Sequence, residues 1–112
     1  MRIRLHLPLA VLAVVVAAGC GGGGRDAEPV ATTEVAMAKS YRFDPQAIQI
    51  AAGATVTWTN EDNFTHTVRI EDGEDHEVGP GESVEVAFDE PGTYDYVCTL
   101  HRRDMDGRVI VE

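Results

Sequence analysis

The sequence predicts an all-β domain, a sandwich of about seven to eight short strands. Three observations carry that expectation. Apolar and polar residues alternate in several short runs, most clearly in Thr55-Val56-Thr57-Trp58-Thr59, and a period of two marks a half-buried strand. Turn residues separate the runs, as in Gly79-Pro80-Gly81, Pro91-Gly92 and Asp106-Gly107, where Gly and Pro supply the dihedrals that turns demand. From Val35 onward no window carries an apolar stripe of helical period.

Before the strands comes a different kind of text. Met1-Arg2-Ile3-Arg4 is basic, and Leu5 to Ala18 is apolar apart from His6. That run is short for a bilayer span and the right size for the apolar part of a signal peptide. Ala17-Ala18-Gly19-Cys20 follows, and it resembles the cleavage box of bacterial lipoproteins. The resemblance implies that residues 1–19 are a signal and that Cys20 is lipidated. Plain secretory cleavage is the alternative. Gly21 to Gly24 and the polar stretch through Pro29 read as a flexible tether over residues 20–36. Residues 37–112 are the expected folded domain. In the lipoprotein family one modified residue carries several acyl chains, which implies stable anchoring. The expected location is outside the cytoplasm, lipid-anchored to the bacterial cell membrane, at the cell surface or in the periplasm.

The strands follow in order. Val35-Ala36-Met37 is a short first strand, and Tyr41 to Pro45 reads as a turn-bearing connection. Ile48 and Ile50 share a parity, and Ala52-Gly53 ends that strand. Val56 and Trp58 face one way in the next, with threonines opposite. After a polar loop from Asn60, the residues His66, Val68 and Ile70 share a face. Glu71 to Glu77 reads as an acidic loop containing His76. Val84, Val86 and Phe88 alternate, then Tyr94, Tyr96 and Cys98, and Arg108 to Val111 closes the chain.

Charge excludes one class of partner. The net charge is −10, and −12 once Arg2 and Arg4 leave with the signal. So acidic a chain cannot neutralise a row of phosphates, so no nucleic acid is expected. Cysteine says more. There are two. Lipidation of Cys20 leaves Cys98 as a single thiol in an oxidising compartment, where an unpaired Cys is an inert buried residue, a reactive thiol or a metal ligand.

The neighbours of Cys98 favour metal. His101 follows in Cys98-Thr99-Leu100-His101, Met105 lies shortly after, and His66 stands upstream. Zinc asks for four strong ligands, and a c-type haem needs Cys-x-x-Cys-His. One thiolate, two imidazoles and a weak thioether fit copper. Cys98 shares the inward face of Tyr94 and Tyr96, and His66 follows a loop, so these residues can meet at one pole of a sandwich. A Cys-His catalytic dyad lacks its surrounding signatures. A mononuclear site with four ligands leaves no open position for a substrate, so no enzyme is expected.

The folded part resembles small cupredoxins of the plastocyanin and amicyanin type. The matching text is Phe43-Asp44-Pro45, Gly53 to Asn60, His66-Thr67-Val68, Pro80 to Ser83, Phe88 to Tyr94 and Cys98 to His101. The resemblance implies a Greek-key β-sandwich with one copper near one end. It makes His66, Cys98 and His101 the strong ligands and Met105 the weak axial one. Three residues separate His101 from Met105; the gap is shorter in amicyanin-like members and longer in plastocyanin-like ones, which leaves an oxygen ligand or none as the alternative. Thr67 stands where many relatives carry Asn. Its hydroxyl, with Asn60, is expected to fix the Cys-bearing loop.

The implied function is one-electron transfer through weak, transient encounters with redox proteins, by a monomer held at the membrane by its N-terminal lipid. Arg102 and Arg103, beside the ligands in an acidic chain, are candidates for docking an acidic partner. The alternative is a copper carrier or sequestering protein that uses the same ligands. A scaffold domain without redox chemistry leaves the Cys-His-His-Met set unexplained.

Overall fold

The computed structural model describes residues 27–71 and 73–112. The expected signal peptide and the expected lipidation site at Cys20 lie outside the described residues. Ten strands form and no helix occurs among the described residues. They are β1 (Val30–Ala31), β2 (Glu34–Ala38), β3 (Arg42–Asp44), β4 (Ala47–Ile50), β5 (Ala54–Asn60), β6 (His66–Ile70), β7 (Asp75–Val78), β8 (Ser83–Phe88), β9 (Gly92–Val97) and β10 (Asp106–Val111). One sheet runs β1-β4-β10-β9-β6-β7, the other β3-β2-β5-β8. This is the all-β sandwich of the cupredoxin type, with a slightly higher strand count than expected.

The inward parity is the one the sequence shows. Val56 and Trp58 of β5 are fully buried, as are Val109 of β10 and Val68 of β6. Trp58, Tyr96 and Phe43 form the aromatic centre, with Tyr96 edge-on to both at 5.2 and 4.8 Å. Edge-to-face rings at such spacing add to the stabilisation from buried area. Gly107 of β10 sits beneath Tyr96. A Cβ there would strike the phenol and come within 2.8 Å of the Gln46 carbonyl, so only glycine lets the strand pass.

Three strands were hidden by polarity or brevity. In β3, inside the expected Tyr41–Pro45 connection, only Phe43 is buried, and three residues show no period. Strand β7 lies in the expected acidic loop; it pairs antiparallel with β6, His76 facing Val68 in register. Only its last residue, Val78, is buried. An edge strand rich in charge avoids pairing with other chains, and that same charge masks it in the sequence. Strand β1 pairs parallel with β4, Val30 opposite Ile48. Strand order thus begins inside the stretch expected to be tether, before residue 37.

Register places one pole. Strands β9 and β10 pair antiparallel with Val97 opposite Asp106, so residues 98–105 bridge one end. Strand β5 ends there at Asn60, and β6 begins there at His66.

Candidate metal centre

His66 opens β6 and is completely buried. Its Nε2 lies 3.0 Å from Asp62 Oδ2, and its Nδ1 lies 3.8 Å from Cys98 Sγ. With Asp62 ionised, Nε2 carries the hydrogen and Nδ1 keeps its lone pair towards the sulfur. That tautomer is the one a metal ligand needs. The His66 hydrogen bond, and then the Asn63 backbone N–H, hold the Asp62 carboxyl below the ordinary carboxylate range.

Asn60 shapes the loop that carries Asp62. Its side-chain amide donates to the carbonyls of Phe64 and Val78 at 2.7 and 2.9 Å. Its carbonyl oxygen accepts from the Asp62 N–H at 2.8 Å. The expected reach of Asn60 to the Cys98 loop is replaced by these bonds, so it acts on the His66 side of the pole.

Thr67 makes the link between the two sides. Its N–H donates to Cys98 Sγ at 3.4 Å. Its hydroxyl oxygen accepts from the Thr99 N–H at 2.7 Å, lies 2.7 Å from the Thr99 hydroxyl and faces Cys98 Sγ at 3.8 Å. The Thr99 hydroxyl in turn donates to Asp75 at 3.3 Å. That leaves the Thr67 hydrogen free to point at the Thr99 oxygen or the sulfur.

Cys98 is buried and free of any disulfide. The groups that approach its sulfur from Thr67 are hydrogen donors, the backbone N–H at 3.4 Å and the hydroxyl at 3.8 Å. The loop after it is tightly folded. The Cys98 N–H donates to the Met105 carbonyl at 3.0 Å, and the Cys98 carbonyl accepts from the His101 N–H at 3.1 Å. The Met105 N–H donates to the His101 carbonyl at 2.9 Å. A bond from residue i+4 to residue i needs three residues between, which is the gap held by Arg102, Arg103 and Asp104. Met105 thereby folds back into the core, fully buried in the cluster that also holds Cys98. The unusual spacing thus has a geometric account.

His101 is partly exposed. Its ring centroid lies 5.4 Å from that of His66 and 4.4 Å from that of Tyr41. Arg102 and Arg103 are exposed on the same loop. As the side chains stand, no three His, Cys, Asp or Glu among the described residues form a closed metal cage. His66 and Cys98 are a close pair, with the His101 ring beside His66 and Met105 buried in the same core cluster as Cys98. The donor set still fits copper, since it combines a donor-bonded thiol, an imidazole fixed by a carboxylate, a second imidazole and a buried thioether.

Asp62 and Tyr41 belong to this site and are absent from the residues singled out in the sequence. Asp62 carries only the generic signal of an acid in a loop before a His. Tyr41 lies in a turn whose position over His101 depends on how the sheets pack.

Comparison with known proteins agrees with this geometry. Residues 30–112 match the family model for copper binding proteins of the plastocyanin/azurin family. Amicyanin-alpha of Methylorubrum extorquens is 41% identical over 91 residues, covering 75% of each chain. A reduced amicyanin variant has a similar structure, with a TM-score of 0.66 and 29% identity over 76% of this chain and 92% of that one. A copper-containing nitrite reductase from Thermus scotoductus SA-01 shares the fold with a TM-score of 0.62 and 29% identity, over 83% of this chain but only 25% of the reductase. The chain is a small cupredoxin and belongs to the plastocyanin/azurin family of copper-binding proteins.

Proposed function

We propose that this protein is a one-electron carrier, held outside the cytoplasm by a lipid on Cys20. In this reading His66, Cys98 and His101 hold the copper and Met105 is its weak axial ligand. Bound copper supplies a Cu(I)/Cu(II) couple; the chain supplies a fixed, largely water-free set of donors. The single observation that carries the reading is the buried His66–Cys98 pair, with Asp62 fixing one and Thr67 the other. Donors held this firmly by their neighbours change little between oxidation states, which favours fast electron exchange.

His101 is the ligand nearest solvent, so it is the port through which electrons pass. Partners bind there briefly over a small interface, with Arg102 and Arg103 favouring acidic ones. The protein acts as a monomer. The fourfold donor set leaves no position for substrate, which favours a carrier over an enzyme.

The test is the visible spectrum of the copper-loaded protein. An intense thiolate-to-copper band is expected, and Cys98→Ser abolishes it. A colourless, redox-silent copper complex would overturn the reading. Stopped-flow mixing with a redox partner separates electron exchange from transfer of the metal itself, which a copper carrier would show.

A further inference from the structure

We propose that Asp75 is a positioning residue for the metal centre: from the edge strand it turns the Thr67 hydroxyl hydrogen away from Cys98 Sγ and so helps to set the reduction potential. The proposal rests on the carrier reading above, with Cys98 as the thiolate ligand, and adds the surface residue that tunes it.

Hydrogens can be counted along the relay. Cys98 Sγ, the Thr67 hydroxyl, the Thr99 hydroxyl and the Asp75 carboxylate stand in that order, separated by 3.8, 2.7 and 3.3 Å. An ionised carboxylate only accepts, so the Thr99 hydroxyl donates to Asp75 Oδ2. A hydroxyl has one hydrogen, and that of Thr99 is then committed. Two hydroxyl oxygens 2.7 Å apart need a hydrogen between them, and only Thr67 is left to supply it. The Thr67 oxygen also accepts from the Thr99 N–H at 2.7 Å, which its lone pairs allow. The Thr67 hydrogen therefore lies chiefly in the short gap to Thr99. The sulfur keeps only a weak share of it across 3.8 Å.

Without the Asp75 acceptor the count changes. The Thr99 hydrogen can turn to the Thr67 oxygen and fill the same gap. The Thr67 hydrogen is then released towards Cys98 Sγ, which gains a second donor beside the Thr67 N–H at 3.4 Å. Donors on a ligating sulfur draw off electron density and favour the reduced metal. Asp75 therefore holds the potential down.

The placement of Asp75 suits this role. It opens β7 opposite Arg69. Its Oδ1 lies 3.9 Å from Arg69 Nε, and both side chains are nearly half exposed. Such a pair contributes little and leaves Oδ2 for Thr99. Thr67 is buried, so two hydroxyls connect a surface carboxylate to a buried sulfur. His66 is held by a different carboxylate, Asp62, so the imidazole and the thiol are governed separately.

Nuclear magnetic resonance of the metal-free protein reads the direction of the hydroxyl without copper. In the parent the Thr67 hydroxyl proton should show an Overhauser contact to the Thr99 side chain. In Asp75→Val and in Thr99→Val that proton should instead contact the Cys98 β-protons, and Thr99→Ser should keep the parent pattern. Thr99→Val changes no charge, so it separates the relay from simple electrostatics. In the copper-loaded protein Thr99→Val should shift the redox equilibrium towards Cu(I) by up to about tenfold, or about 60 mV, and move the thiolate-to-copper band to shorter wavelength. Asp75→Val should shift it the same way and by more than Glu77→Gln, which removes an exposed charge from the same strand. In the Thr99→Val background that excess should vanish. A Thr67 hydroxyl that stays on Thr99 in Asp75→Val overturns the proposal, and so does a Thr99→Val potential equal to the parent's. A parent whose copper complex lacks the thiolate band overturns the carrier reading and the tuning with it, while the metal-free contacts still decide which way Asp75 turns the hydroxyl.

Discussion

The ring of Tyr41 lies against His101, with centroids 4.4 Å apart and planes inclined by 51°. The turn that puts it there is strained. Ser40 and Tyr41 have φ of 77° and 57°, a region that costs a non-glycine residue about 1–2 kcal/mol. Such strain persists where surrounding contacts over-determine it. Here the contacts are His101, Phe64 and the edge of His66. The face of an aromatic ring attracts positive charge, so Tyr41 favours the more positive, oxidised state of the site. Tyr41→Ala should raise the reduction potential by up to about 60 mV, one tenfold change for a one-electron couple. Tyr41→Phe should restore it. Cyclic voltammetry of the three proteins decides the matter, and equal potentials would remove Tyr41 from the site.

Asp62 holds His66 through Nε2. Asp62→Asn keeps the shape and loses the charge. Carboxylate partners of metal-bound imidazoles are worth about 10–100-fold in affinity, so copper affinity should fall by that order. Competition with a chelator of known strength measures it. An unchanged affinity would show that the Asn60-built loop alone positions His66.

Thr67→Val removes the hydroxyl and keeps the volume. The Thr99 N–H then loses its acceptor, at a cost of about 1–3 kcal/mol. Thermal unfolding of the metal-free protein should shift down by roughly 4–8 °C per kcal/mol. Thr67→Ser should recover most of it. The thiolate-to-copper band should also move in Thr67→Val, because the sulfur loses a neighbouring donor.

Met105 returns to the core through its N–H bond to the His101 carbonyl, and that bond involves backbone only. Met105→Leu therefore keeps the loop and removes the thioether. The reduction potential should rise by at least about 60 mV while the protein stays folded. A potential that does not move takes Met105 off the ligand list.

Burial pushes the Tyr96 phenol above its ordinary pKa. Its folded value then exceeds the unfolded value of about 10. Above that pH the unfolded chain releases the proton first, so the stability present below about pH 10 declines as pH rises further. The buried hydroxyl stands by the Trp58 indole N–H, which eases the rise a little, but no hydrogen bond of full geometry forms there. Tyr96→Phe should change stability by less than about 1 kcal/mol at pH 7, since only this weak contact is lost. It should remove part of the alkaline decline. Urea titrations at pH 7 and pH 10.5 give both numbers.

The chain's own text determined much of this molecule. Binary alternation in Thr55–Thr59 and Val84–Phe88 announced those strands, because a buried face imposes period two whatever the partner strand is. The pairing of an unpaired Cys98 with His101 and Met105 was legible because those residues are close in sequence. Other features are decided by contacts between segments far apart, and sequence carries no direct record of those. Strand β7 hides because its neighbours satisfy its backbone while solvent takes its side chains. Asp62 and Tyr41 gain their roles only when the β5–β6 loop and the Ser40–Tyr41 turn are brought over the 98–105 loop. The same is true of the pole at which the chain enters, since the parallel pairing of β1 with β4 is a choice made by packing. Residue types told which chemistry was possible; the closure of two sheets over one pole decided which residues stand close enough to perform it.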